Sequence, residues 1–172
     1  MIKQRFIASV QPYLNPTQVH ESIYDIDFIE LQTLGVKHLF FDVDNTLMSY
    51  SETNVSIKCM ALFNDIQLIG FDTVMLMSNN SNVDRIEAVA KQLQLPAVTF
   101  ACKPFVFTMR RVAVDAAINL NEAAMIGDQL LTDIAMANVL EMRSIFVEPM
   151  DAEHVSGTKK MQYTFQKWLM RQ

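Results

Sequence analysis

Cysteine is scarce: Cys59 and Cys102 stand alone and far apart. Two thiols at that spacing form neither a disulfide-stapled scaffold nor a paired metal or redox motif. They read as buried or unpaired thiols of a reduced compartment. Long apolar runs are missing too, and none approaches the roughly 18 residues that a bilayer span needs. The opening Met1-Ile2-Lys3-Gln4-Arg5-Phe6-Ile7-Ala8 is basic, but its apolar stretch is too short for a secretory signal. Repeats and low-complexity tracts are absent, and His20, His38 and His154 show no ligand spacing. These absences lead us to expect a cytoplasmic protein.

What is present is apolar: 51% of 172 residues, enough for one domain over 1–172 with a single core. The net charge of −5 is unevenly spread. Residues 1–20 carry Lys3 and Arg5 and no acid; residues 159–172 carry Lys159, Lys160, Lys167 and Arg171 and no acid. Every carboxylate side chain therefore lies between two basic ends. Such asymmetry marks either contact with an anionic surface or merely solvated termini. At the C-terminal end Met161, Phe165, Trp168 and Leu169 share a helical face. That face suits packing on the sheet, the more ordinary reading, and also peripheral membrane contact. At the N-terminal end Ile2, Phe6, Ile7 and Val10 pose the same alternatives.

Between the ends, short apolar runs alternate with helical periodicity. Val36–Val43, Thr73–Met77, Ala97–Ala101, Ala123–Ile126 and Ser144–Val147 lack polar alternation, as strands buried on both faces do. Helical spacing links Val55, Cys59, Leu62, Phe63 and Ile66, then Val83, Ile86, Val89, Ala90 and Leu93, then Phe105, Met109, Val112, Ala113, Ala116 and Leu120. Ser81 with Asp84 resembles a capping box, and Pro104 fits a first helical position. Leu131, Ile134, Ala135 and Asn138 predict a shorter helix. The pattern predicts an α/β, doubly wound parallel sheet with helices on both faces, whose ligands bind beyond the strands' carboxyl ends.

Four motifs fall at those ends: Asp42-x-Asp44-x-Thr46, Ser78-Asn79-Asn80, Lys103-Pro104 and Gly127-Asp128-Gln129-Leu130-Leu131-Thr132-Asp133. Converging carboxylates repel one another, and a hard divalent cation such as Mg2+ resolves the repulsion. Lys103 adds a positive charge, and Ser78 adds a hydroxyl. Carboxylates, a metal and phosphate-seeking donors in one crevice describe phosphoryl transfer. One aspartate can act as nucleophile, and a second carboxyl two residues on can shuttle the proton. Asp133 reads equally as a helix cap and as part of this site. Asn80 and Gln129 read as loop structure, and no neighbouring base activates Cys102.

These residues resemble the haloacid dehalogenase-like (HAD) phosphohydrolase superfamily, whose four motifs they follow in order. With Ser22-Ile23-Tyr24-Asp25-Ile26-Asp27 upstream, the chain is similar to the capless subclass IIIA, YqeG family, which is related to phosphatidylglycerophosphate phosphatases. The resemblance implies that Asp42 is nucleophile and magnesium ligand. It makes Asp44 the general acid/base and, through its backbone carbonyl, a second ligand, with Asp128 the third. Thr46 would order the loop, while Ser78 and Asn79 would hold phosphoryl oxygens. Lys103 would neutralise phosphate and Asp42, and Asp133 would orient Lys103 or a water. The sequence departs from relatives at Ala137-Asn138, where they usually read Gly-Asn.

About thirty residues separate Asp44 from Ser78, room for one helix and one strand but no lid. The site is therefore expected to be open and to suit phosphate on something large, such as a lipid headgroup. A nucleic-acid end or a phosphoprotein would need the same chemistry, although the acidic middle argues against nucleic acid. A non-catalytic, phosphate-responsive module is the third alternative.

Overall fold

The computed structural model describes residues 11–151 together with Tyr163, Thr164, Gln166 and Trp168. Its centre is β2 (His38–Phe41), four residues buried on both faces. Alternate side chains of this strand feed two cores. Leu39 and Phe41 join the cluster that includes Phe63, Ile66, Ile86 and Val89, while Phe40 joins Met109, Ala113, Met136 and Ala137. The rings of Phe41 and Phe63 meet edge-on, with centroids 4.9 Å apart. A strand that packs helices on both sides has no solvated face, which is why its sequence does not alternate.

The other strands are β1 (Gln18–His20), β3 (Thr73–Met77), β4 (Ala97–Val98), β5 (Ala123–Gly127) and β6 (Arg143–Val147). They pair in parallel in the order β1-β6-β5-β2-β3-β4. From β2 the chain builds outward through β3 and β4, then returns to add β5 and β6 on the other flank. The winding direction therefore reverses between β2 and β5, and this reversal is where open parallel sheets bind ligands. The parallel sheet expected from the sequence is the one observed.

Helix α1 (Phe28–Thr33) starts at Asp27, whose carboxylate accepts from the Glu30 N–H at 2.9 Å. Helix α2 (Ile57–Ile69) is capped by Ser56 and ends at Gly70, whose φ of 86° suits a residue without a Cβ. Helix α3 (Val83–Leu93) carries a correction: its cap is Asn82, accepting from Arg85 N–H, rather than a box formed by Ser81 and Asp84. A second correction concerns Pro104. Helix α4 (Phe107–Asp115) begins three residues later, so Pro104 belongs to the turn before it, joined to Lys103 by a cis peptide bond. After β5 an irregular π-type turn, Leu130–Ile134, runs into α5 (Ala135–Val139). Ala137 is buried within α5, where an ordinary helical backbone makes no demand for glycine.

Three differences concern strands and ends. β4 is only two residues long, and the rest of Ala97–Ala101 bends toward the site. β1 is not visible in the sequence as a strand, because Gln18-Val19-His20 is a short, half-exposed edge. Of the basic ends, residues 1–10, Lys159, Lys160, Met161, Phe165, Lys167, Leu169 and Arg171 lie outside the described residues; Trp168 is half-buried. No helix among the described residues is long and apolar enough to cross a membrane.

Candidate active site

Register places the four motifs at one level. Phe41 lies opposite Leu76 on β3 and Ile126 on β5, so Asp42, Ser78 and Asp128 leave the sheet together. Asp42 N–H still donates to the Ile126 carbonyl (2.9 Å), holding the turn that carries Asp42 against β5. Beyond it the chain reverses tightly: Leu47 N–H returns to the Val43 carbonyl, and Asn45 adopts a left-handed φ of 64°, a conformation asparagine tolerates. This turn brings Asp44 and Thr46 back to the crevice, with Thr46 Oγ1 3.4 Å from Asp128 Oδ1.

Lys103 occupies the floor. Its ammonium donates to Asp42 Oδ1 (2.6 Å) and to the Met77 carbonyl (2.6 Å), and pairs with Asp133 Oδ1 (2.7 Å). The ammonium is thus surrounded by three oxygens, two of them accepting its hydrogen bonds. The backbone of Lys103 is held as tightly, because the Asn79 amide donates to its carbonyl and accepts from its N–H, each at 2.8 Å. Asn79 therefore spends its side chain on positioning the lysine. The Ser78 hydroxyl accepts from Asn80 N–H (3.0 Å) and lines the crevice.

Asp133 does not cap the helix that follows, which has no side-chain cap; its carboxylate belongs to the cluster at Lys103. Its Oδ2 accepts from Gln129 N–H at 3.2 Å, and its other oxygen faces Lys103. Gly127 makes room for this arrangement. A Cβ added there would sit 2.4 Å from Asp133 Oδ2 and 2.5 Å from its Cγ. Lys103 and Gln129 anchor that carboxylate, so it cannot swing aside cheaply. Gly127→Ala is expected to cost about 2 kcal/mol through overpacking, which urea denaturation should detect as a lower midpoint. An unchanged midpoint would mean that Asp133 is free to move.

One carboxylate oxygen each of Asp42, Asp128 and Asp133 lies within 4.8 Å of the others, and all three residues are buried. The donors are all hard oxygens, which suit a hard divalent cation. Charge agrees. Asp42, Asp44, Asp128 and Asp133 gather four carboxylates around Lys103 and Arg85, leaving about two negative charges unbalanced in the protein alone. Burial, above all, lifts Asp42 to about 7 against the pull of Lys103, and burial likewise raises Asp128 well above the carboxylate range. Burial opposes the Lys103 charge, yet Asp133 and Asp42 outweigh it and hold the ammonium protonated. The residues present thus fit a metal at Asp42, Asp128 and Asp133. The Asp44 side chain turns elsewhere, so its part in holding a cation would fall to its backbone carbonyl.

Asp44 is gripped by two residues that the sequence did not single out for this. Arg85 Nε reaches its Oδ1 at 3.1 Å, and the Asn80 amide donates to its Oδ2 at 2.6 Å. Arg85 also donates to the carbonyls of Ser49 and Glu52, fixing a short loop after the first motif. Tyr50 on that loop forms part of the wall of a cavity of about 310 Å³ whose floor holds Asp42 and Asp44. Burial and then the surrounding aspartates hold the Tyr50 phenol above its ordinary pKa. Between Asp44 and Ser78 the chain forms this loop, α2 and β3, with no lid domain. Asp42 and Asp44 lie deep in the crevice, each only 6% exposed.

Two further residues missed in the sequence arrive from the C-terminal segment. Tyr163 donates to Asp128 Oδ2 at 2.5 Å and accepts from the Asn45 amide at 2.9 Å. Gln166 donates to the Asp128 carbonyl (2.7 Å) and accepts from Leu130 N–H (2.8 Å). No motif links them to Asp128, more than thirty residues away.

Comparisons with known proteins agree with this geometry. The HAD-hydrolase-like family model matches residues 100–153, the segment carrying Lys103, Asp128 and Asp133. A probable phosphatase, YqeG of Bacillus subtilis (strain 168), is 25% identical over 140 residues, covering 81% of this chain and 80% of that protein. An uncharacterized protein from Listeria monocytogenes serotype 4b superposes with a TM-score of 0.57 at 15% identity, over 80% of this chain and all of that one. A hypothetical protein from Xanthomonas campestris gives 0.53 at 16% identity, over 78% of each chain. These two low-identity likenesses show the fold, while the family-model match and the YqeG match show that the chain is similar to HAD-like hydrolases and to a probable phosphatase among them.

Proposed function

We propose that the chain is a magnesium-dependent phosphomonoester hydrolase that works through an aspartyl-phosphate on Asp42. The observation that carries this reading is the ion cluster: a buried aspartate on a locked lysine, beside two further buried carboxylates at the sheet's switch point. Asp42, Asp128 and Asp133, with the Asp44 carbonyl, would hold Mg2+. When bound, the ion would neutralise carboxylate charge and phosphoryl charge in one place.

The chain's own groups supply the remaining steps. Lys103 orients the Asp42 carboxylate, whose oxygen attacks phosphorus as the ester oxygen departs. Asp44 protonates that oxygen, so the alcohol leaves neutral. Asp44 then takes a proton from water, the water oxygen attacks phosphorus, and the Asp42–phosphorus bond breaks to release phosphate and the free carboxylate. Arg85 and Asn80 hold Asp44 in place for both transfers. Ser78 and backbone N–H groups of its loop supply donors to the phosphoryl oxygens.

The substrate we favour carries its phosphate on a bulky anionic carrier, phosphatidylglycerophosphate being the representative. Support comes from the missing lid and from the basic ends of the sequence. The aspartates at the crevice disfavour a polyanionic nucleic-acid end. The test is phosphate release from an aryl phosphate, then from phosphatidylglycerophosphate vesicles and a 5′-phosphorylated oligonucleotide. Magnesium should support turnover and a chelator abolish it. Turnover insensitive to chelator would sink the metal-dependent reading, and better turnover of the oligonucleotide would sink the lipid.

A further inference from the structure

We infer that Tyr163 is a positioning residue for the metal site, aiming the Asp128 carboxylate from behind. The inference rests on the reading of Asp128 as a metal ligand. A carboxylate has two oxygens and can rotate. In this protein Asp128 Oδ2 accepts from the Tyr163 hydroxyl at 2.5 Å, which leaves Oδ1, approached by the Thr46 hydroxyl only at 3.4 Å, as the oxygen available to a cation. The tyrosine cannot drift, because its own oxygen accepts from the Asn45 amide. Asn45 lies between Asp44 and Thr46 in the first motif's turn. The hydroxyl thus joins the turn after β2 to the turn after β5, the two segments that must converge for the ligands to meet.

Gln166 adds a second fastening, one turn further along. It takes the backbone of Asp128 and Leu130 between its carbonyl and its amide, so side chain and main chain of the ligand are both held from the C-terminal segment. Tyr163 and Gln166 are 5% and 2% exposed, and four contacts between polar groups this deeply buried are costly to break. Partners that orient a metal ligand in this way typically change metal affinity by roughly 10–100-fold when removed. The C-terminal segment, read from the sequence as either packed on the core or applied to a membrane, has a specific task at these two residues.

Isothermal calorimetry of Mg2+ binding to the full chain tests the inference, with Tyr163→Phe as the first variant. It keeps the ring and deletes the hydroxyl. The Mg2+ dissociation constant should rise about 10-fold or more. The magnesium concentration for half-maximal phosphate release should rise in parallel, while kcat at saturating metal stays within about 3-fold. A purely structural role would instead lower metal-free Tm and leave the affinity of the folded fraction unchanged. Asn45→Gly, which suits the left-handed backbone and removes only the amide that anchors Tyr163, should weaken binding in the same direction if Tyr163→Phe fails to fold. Unchanged affinity in a folded Tyr163→Phe, or in Asn45→Gly where the first does not fold, overturns the inference. Asp128→Asn separates the two readings. Loss of binding there with unchanged binding in Tyr163→Phe refutes only the tyrosine's role. Full binding in Asp128→Asn refutes the metal site itself.

Discussion

Replacing Asp42 by Asn should reduce phosphate release by about four orders of magnitude or more, with no recovery on adding metal or using a better leaving group. The amide keeps the size of the side chain and removes the nucleophilic oxygen charge. It should not unfold the protein. Asp42 is held near 7 chiefly by burial, so the folded state gains little from its charge. Lys103 would keep Asp133 and the Met77 carbonyl as partners. The comparison that gives the result meaning is Asp44→Asn. If Asp44 only moves protons, its loss should be severe for alkyl phosphates and mild for an aryl phosphate whose leaving oxygen needs little protonation. Mass spectrometry of the quenched reaction should then show a phosphoryl adduct on Asp44→Asn and none on Asp42→Asn. Steady turnover by Asp42→Asn would remove the covalent mechanism.

Those two aspartates were legible in the sequence because the chemistry and the fold put them in one short segment. Asp42 and Asp44 follow an unbroken apolar run, and a strand buried on both faces can be read from its lack of alternation. The same holds for Asp128 after Ala123–Ile126. Lys103 was legible through its neighbour Pro104, yet for a reason the structure corrects: the proline shapes a turn and does not begin the helix. Asp133 was ambiguous because a carboxylate near a helix start can serve as a cap or as a charge partner, and here it is the charge partner of Lys103 while the helix after it has no side-chain cap.

Arg85, Asn80, Tyr163 and Gln166 were not legible as site residues. Each acts on an aspartate at least 35 residues away, and no local pattern reports such a contact. Arg85 sits in the first turn of an amphipathic helix, where a basic residue is ordinarily only solvated. Asn80 looks like any polar loop residue. Tyr163 lies in a basic, apolar-faced segment whose periodicity suited a membrane surface as well as a core. What sequence reasoning misses, then, is the layer that holds the site aspartates. Its residues are chosen by three-dimensional position, while the aspartates stand in short motifs at strand ends.

That supporting layer makes Lys103→Met the second large effect. Methionine matches the lysine's length and removes a charge that three oxygens share. Two buried carboxylates would then face each other with no counter-ion, an arrangement that typically costs about 3–5 kcal/mol. Catalysis should fall by roughly 10²–10³-fold even with magnesium, because the fixed positive charge that orients the Asp42 carboxylate beside the developing phosphoryl charge is lost. The sign of the pH dependence distinguishes this account from simple misfolding. Lys103 pulls the Asp42 pKa down, so without it that pKa rises further above about 7. A carboxyl whose folded pKa exceeds its unfolded one favours the folded state at low pH, and the advantage is lost as pH climbs through the folded value. Metal-free Lys103→Met should therefore regain Tm as pH is lowered from about 8 toward 5, more steeply than the parent chain. Lys103→Arg should not restore activity, because a planar guanidinium cannot place donors on Asp42, Asp133 and the Met77 carbonyl as one compact ammonium does. Differential scanning calorimetry across pH, read beside phosphate release, would settle the point: a Tm deficit independent of pH would show that the lysine fills space and does not balance charge.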